Sequence, residues 1–252
     1  MTRRGLAVWF LGLGLAGCGV APLETLQLDP RSLAAGLIAH WTFDDGSGPT
    51  VADRSGFGHD GILAGGTWVR DGQFGGALRL SYGDTVTVNA FPQATQSWTV
   101  SFWTRASTAQ LQADADANDT STILSTETVF SGGWQVHMDS RPNYRRYDVA
   151  YWAGSTVSDY VVVFCDCITP DEWIHLTAVF DYASRSLTLF QGTAAVDHLS
   201  MPVAILKGQD TLLMGAWNQQ GRFLAGDLDD IAIWNRALAP AEIAVISRQP
   251  PP

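Results

Sequence analysis

The sequence predicts an all-β fold, two antiparallel sheets packed face to face, on three observations. About a dozen short runs rich in β-branched and aromatic residues are separated by turn residues. Hydrophobic residues make up 46% of the chain and charged residues only 16%, the balance of a globular chain with a sizeable core. The 252 residues show no internal repeat and no second domain, and a β-sandwich of that size forms one domain.

The net charge is −10, from 15 basic and 25 acidic residues. No basic patch is large enough to follow a phosphate backbone, which excludes nucleic acid as a partner. Only Glu24, Glu127, Glu172 and Glu242 are glutamates, leaving 21 aspartates. Asp favours turns, and its short side chain suits oxygen-ligand cation sites in loops.

Thr2-Arg3-Arg4 followed by the apolar run Leu6 to Ala16 reads as a targeting segment, too short for a comfortable membrane span. Leu15-Ala16-Gly17-Cys18 resembles the lipobox of bacterial lipoproteins. By that resemblance residues 1–17 are a signal peptide, Cys18 carries the lipid, and Gly19 favours the outer membrane. A plain secretory signal with an incidental cysteine is the alternative. Residues 18–36 carry Pro22 and Pro30 and read as a tether spanning at most about 60 Å.

The domain proper is expected over 37–247, with 248–252 as a tail. Leu37 to Phe43 is a first strand, stopped by Asp44-Asp45-Gly46-Ser47-Gly48-Pro49. Asp84 to Val88 and Trp98 to Thr104 follow as strands. Asp114-Ala115-Asp116-Ala117-Asn118-Asp119 imitates the start of a calcium loop but lacks Gly at the sixth position and Glu at the twelfth, so 107–120 reads as a solvated surface loop. Strands are expected at Ile123–Thr126, Trp134–Asp139, Tyr147–Trp152, a hairpin from Glu172 to Gly192, and Thr211–Trp217. Gly226 to Leu238 reads as the closing strand. Asp229 and Asp230 precede its apolar run, and in a regular strand they face opposite sides, one to solvent and one into the protein. An inward carboxylate needs a cation or several donors. Pro240 to Ile246 reads as a short terminal helix with Pro in its first turn.

Several of these stretches together resemble the LamG-like (concanavalin A-like) jelly-roll family. They are the Phe43-Asp44-Asp45-Gly46-Ser47-Gly48 opening, the Asp53 to Gly61 turn, and Asp71-Gly72-Gln73-Phe74-Gly75-Gly76-Ala77-Leu78. Trp173-Ile174-His175 and the closing Asp229-Asp230…Asn235-Arg236-Ala237-Leu238 complete the set. The resemblance covers roughly Gly36 to Ile246 and implies two antiparallel sheets, one concave. It also implies a structural Ca²⁺ on Asp229, with Asp44 as second ligand and Asp53 as third; turn-capping acids that bind nothing are the alternative.

Cys165 and Cys167 suggest a disulfide in an exported chain, although an extended i, i+2 pair lies at the edge of disulfide reach and needs a bend. A ligand surface is expected on Gln135, His137 and Asp139 of one strand with Tyr147, Tyr151 and Trp152 of the next, since aromatics beside hydrogen-bonding groups suit sugar rings. Packing of those aromatics into the core is the alternative. The paired-carboxylate motif of hydrolases on this fold is absent. Gln135-Val136-His137 echoes jelly-roll alginate lyases, whose other motifs are missing. The chain is therefore expected to be a non-catalytic module for a polysaccharide or glycoconjugate, or for a surface protein, with polysaccharide hydrolase or lyase the least favoured reading.

Overall fold

In the computed structural model, residues 30–94, 96–128, 132–153, 160–200, 205, 207–217 and 221–251 are described. The signal segment, Cys18 and most of the tether lie outside them. Helix α1 (Pro30–Ala34) leads into β1 (Leu37–Trp41), β2 (Thr50–Val51), β3 (Gly61–Ala64), β4 (Thr67–Val69), β5 (Ala77–Leu80) and β6 (Thr85–Asn89). Strand β7 (Trp98–Ala106), helix α2 (Thr108–Ala117), β8 (Thr120–Ser125), β9 (Trp134–Asp139), β10 (Arg146–Trp152) and β11 (Tyr160–Cys165) follow. The chain then forms β12 (Ile174–Asp181), β13 (Ser186–Gln191), β14 (Ala194–Ser200), β15 (Thr211–Met214), β16 (Gly226–Trp234) and α3 (Pro240–Ile246).

The strands form the expected two-sheet jelly-roll sandwich. One sheet runs β14-β13-β12-β7-β16-β5-β4, with β1 also paired to β16; the other runs β11-β10-β9-β8-β15-β6-β3-β2. Every paired strand is antiparallel, so each can present one face to the core and one away from it. Trp41, Phe102, Trp134, Tyr147, Tyr151 and Phe180 are among the large side chains fully buried between the sheets.

Strand β16 departs from simple alternation. Leu228 faces the core, but so do Ile231 and Ile233, three and five residues on, and the inward phase therefore shifts by one. The cause is a bulge between Asp229 and Ala232, with Asp230 in the left-handed region at φ 46. Before the bulge β16 pairs with β5, after it with β1, while β7 runs along its other edge. Both aspartates are buried as a result, correcting the expectation that one reaches solvent.

Past the bulge, Ala232 and Trp234 turn to the outer side of the sheet, where Leu33 of α1, Ile243 and Ile246 of α3 and Leu238 before α3 cover them. Trp234 Nε1 donates to the Leu33 carbonyl at 2.7 Å. Arg236 ties the layer together: its guanidinium donates to the Ser32 and Ala35 carbonyls and forms a bidentate pair with Glu242, both N–O distances 2.8 Å.

The segment expected as a surface loop is helical. Ser107 caps α2 by accepting from Gln110 N at 3.0 Å, and Asn118 ends it in a left-handed conformation. Asp114 is buried and takes hydrogen bonds from Gln110, Ser121 and Ser140, which a calcium-loop reading does not anticipate. Cys165 and Cys167 form a disulfide, the chain bending to bring their Cα atoms to 5.1 Å.

Arg236→Ala is expected to lower unfolding free energy by about 2–3 kcal/mol, because the buried Glu242 and two carbonyls lose their donor. Urea denaturation checks this, and a loss below about 0.5 kcal/mol would contradict the clamp.

Candidate functional site

Strands β9 and β10 are paired in register, Gln135 opposite Ala150, His137 opposite Asp148 and Asp139 opposite Arg146. Alternation sends Trp134, Val136, Met138, Tyr147, Val149 and Tyr151 into the core. The intervening residues face away from the core. Tyr147 and Tyr151 therefore do not join the expected ligand surface: both are fully buried between the sheets, Tyr151 packed against Phe180 at 6.0 Å. Burial raises the Tyr151 hydroxyl to about 12.

Gln135, His137 and Trp152 do come together. They line a cavity of about 240 Å³ on the outer face of the second sheet, with Thr120, Glu127, Arg141, Tyr160, Trp217 and Arg222. Gln135 Nε2 donates to the Tyr160 hydroxyl at 2.7 Å, and the Tyr160 ring packs on Trp152 at 5.1 Å. His137 Nε2 meets Asp148 Oδ2 at 3.0 Å, and Asp148 Oδ1 pairs with Arg146 at 2.9 Å. Asp139 lies beside the cavity rather than in it, fully buried and held by both Nε and Nη2 of Arg141. Burial works to raise its carboxyl, but Arg141 and then Arg146 hold it below the usual range.

Glu127 was not singled out from the sequence as a site residue. It lies two residues past the end of β8 and is only 2% exposed. Burial pushes its carboxyl above the usual range, an effect that the facing indoles of Trp152 and Trp217 and the charges of His137 and Arg222 offset in part. Burial also raises the Tyr160 hydroxyl, with Glu127 adding to the shift. Among the described residues, Glu127 Oε2, Gln135 Oε1, His137 Nδ1 and Thr120 Oγ1 have no hydrogen-bond partner. Buried polar atoms without partners are costly, and several around one cavity are the polar complement a ligand would satisfy.

A second cleft, about 490 Å³, lies on the first sheet against Arg79, Arg105 and Asp227. Its cations are already committed: Arg79 binds Asp227 with both Nε and Nη2, and Arg105 binds Asp227 and Asp71. It reads as a structural ion-pair network.

The expected calcium ligands separate into two groups. Asp53 organises the 53–61 turn: its two oxygens accept from His40 N, Ser55 N, Ser55 Oγ and His59 N, all at 2.8–2.9 Å. Burial opposes ionisation there, yet those donors hold the carboxyl below its ordinary value. Asp44 and Asp229 instead reach the same turn, Asp44 Oδ1 accepting from Gly76 N at 2.6 Å and Asp229 Oδ2 from Phe74 N at 2.8 Å. Gly75, at φ +78, leaves room that a Cβ would fill against Asp44 Oδ1. Asp229 Oδ1 is buried and unpartnered among the described residues, and burial, reinforced by Asp230, raises this carboxyl to about 7. Two carboxylates at one turn, one with an orphaned buried oxygen, fit a hard cation completed by carbonyls and water. Among the described residues no third His, Cys, Asp or Glu completes a side-chain cage.

His175 and His40 serve the fold. His175 Nε2 meets Ser101 Oγ at 2.8 Å, and burial lowers the imidazole to about 4. His40 Nε2 meets Asp230 Oδ1 at 2.6 Å inside the protein.

Residues 80–244 match the family model Laminin_G_3, the concanavalin A-like lectin/glucanases superfamily. Among solved structures, the botulinum neurotoxin serotype D binding domain matches with TM-score 0.66 and 15% identity over 86% of this chain and 51% of the other. The binding domain of Paraclostridial Mosquitocidal Protein 1 matches with TM-score 0.68 and 15% identity, over 85% of this chain and 52% of the other. The serotype D ligand-binding domain in complex with N-acetylneuraminic acid gives TM-score 0.66 and 16% identity over 86% and 52%. The chain thus spans about half the length of these structures, and at such identities the likeness is one of fold. No curated protein matches the sequence.

The raised Asp229 carboxyl has a consequence for stability. Its folded value, about 7, exceeds its unfolded value near 3.8, so its contribution is complete below the unfolded value and is lost as pH rises through 7. In chelator, the wild type is expected to lose stability between pH 5 and 8, and Asp229→Asn to flatten that slope. Urea titrations at fixed pH measure both; an unchanged slope in the variant would contradict the assignment.

Proposed function

The chain belongs to the concanavalin A-like lectin/glucanases superfamily, and on that premise we propose that it is a non-catalytic carbohydrate-binding module of a cell-envelope lipoprotein. The observation that carries the proposal is the cavity on the second sheet. Trp152, Tyr160 and Trp217 surround it, and Gln135 Oε1, His137 Nδ1 and Glu127 Oε2 are buried polar atoms there without a hydrogen-bond partner among the described residues. Aromatic faces take the apolar side of a sugar ring while convergent polar groups fix its hydroxyls. The Lipobox-like Leu15-Ala16-Gly17-Cys18 supports the lipid anchor, and Gly19 supports the outer membrane.

A structural calcium on Asp229 and Asp44 belongs to the same proposal. It would neutralise the Asp229 carboxylate and pin the turn at Phe74–Gly76 to the closing strand, with no chemical role.

One observation favours a second reading. His137, backed by Asp148, shares the cavity with Tyr160 and a Glu127 whose carboxyl is raised, a set able to move protons. Cleavage of a bound polysaccharide, seen as release of oligosaccharide, would replace binding with catalysis.

A glycan array run in calcium and again in chelator tests the proposal. The wild type is expected to bind one family of glycans saturably, and Trp217→Ala to weaken that binding at least tenfold with the fold intact. No glycan binding by folded protein would turn the assignment to a protein partner. Calcium is expected to raise the melting temperature of the wild type and not of Asp229→Asn, while Asp53→Asn is expected to melt early with or without it. A calcium response retained in Asp229→Asn would remove the metal from the account.

A further inference from the structure

The chain is acidic, with 15 basic residues against 25 acidic ones, yet two arginines, Arg141 and Arg222, line the cavity. Arg141 is committed to Asp139 through two hydrogen bonds. Arg222 is not committed in that way. Its nearest carboxylate among the described residues is Asp119, at 3.8 Å, and that residue is itself 54% exposed. The guanidinium carbon lies 4.5 Å from the centroid of the Trp217 ring. Such stacking holds the planar group in place while its in-plane N–H fork stays available to an oxyanion, a geometry lysine does not reproduce. Among the described residues, Glu127 is the carboxylate that lines the cavity, and no ion pair joins it to Arg222.

We infer that the cavity selects an anionic sugar, whose carboxylate or sulfate pairs with Arg222, over the neutral sugar of the same shape. The inference rests on the carbohydrate-binding reading above and names its ligand class. Arg222 is part-exposed, so a neutral ligand leaves its guanidinium to water, whereas an anionic ligand gains a charge-assisted bidentate contact there. Trp152 and Tyr160 would meet the ring, and Gln135 and His137 its hydroxyls.

The test is calorimetry on the full chain in detergent with matched pairs. These are 3′-sialyllactose against lactose, trigalacturonate against its methyl ester, and a carrageenan oligosaccharide against its desulfated form. At least one charged member is expected to bind tenfold or more tightly than its partner, and the responding pair separates carboxylate from sulfate. Arg222→Gln is expected to abolish that preference, Arg222→Lys to keep part of it, and Arg145→Gln, which changes charge on the neighbouring loop, to leave it unchanged. Equal affinity within every pair, or a preference that survives Arg222→Gln, overturns the inference and leaves the carbohydrate reading standing. No binding to any probe by protein with a native melting transition overturns both.

Discussion

The sandwich depends on satisfying three buried carboxylates on one central strand. All nine residues of β16 are buried, and Asp227, Asp229 and Asp230 are among them. Each finds a different partner. Asp227 takes Arg79 from β5 and Arg105 from β7, Asp229 takes the Phe74 amide, and Asp230 takes His40 from β1. Every strand hydrogen-bonded to β16 thus also contributes a polar partner, either directly or through the turn that precedes β5. An ionised carboxylate left alone in such a place would cost several kcal/mol. The acids therefore specify which strands may lie beside β16, which apolar packing alone does not.

Of the three, only Asp229 is incompletely met, and its raised carboxyl is the mark of that deficit. The second sheet shows the same physics with another outcome. Around β9 and β10 the outward carboxylates are met by ion pairs, Asp139 with Arg141 and Asp148 with Arg146 and His137. Glu127, Gln135, Thr120 and His137, which line the cavity, each retain an atom with no hydrogen-bond partner among the described residues. Unmet polarity in a rigid sheet is a cost to the fold that a ligand can relieve.

Much of the fold was legible because period-two patterning is a direct consequence of strand geometry. The Trp98–Thr104 run, the Glu172–Gly192 hairpin and the closing strand all lie where alternation and turn residues put them. The bulge left a trace as well: Leu228 and Ile231 are three apart, a spacing no regular strand accommodates on one face. That trace marks why the two aspartates are both buried. The Asp-rich sequence of α2 resembles a loop, but Gln110 within the helix, Ser121 of β8 and Ser140 just past β9 donate to Asp114 and hold it buried. For the site, the alternation of β9 placed Gln135 and His137 on one face, but alternation cannot say which phase faces the core. The same ambiguity put Tyr147 and Tyr151 on the wrong side. Glu127, Tyr160, Trp217 and Arg222 come from separate segments joined only by sheet pairing, and no local pattern connects them. A rare glutamate just past an apolar strand was the one available signal.

Under the proposed function, the cavity beside Trp152 and Trp217 holds the ligand. A crystal structure grown with the tightest-binding glycan tests it most directly. Density for a sugar ring is expected against those indoles, with polar contacts to Gln135, His137 and Glu127. Density instead in the cleft beside Arg79 and Arg105, or along the outer strands of the first sheet, would contradict it.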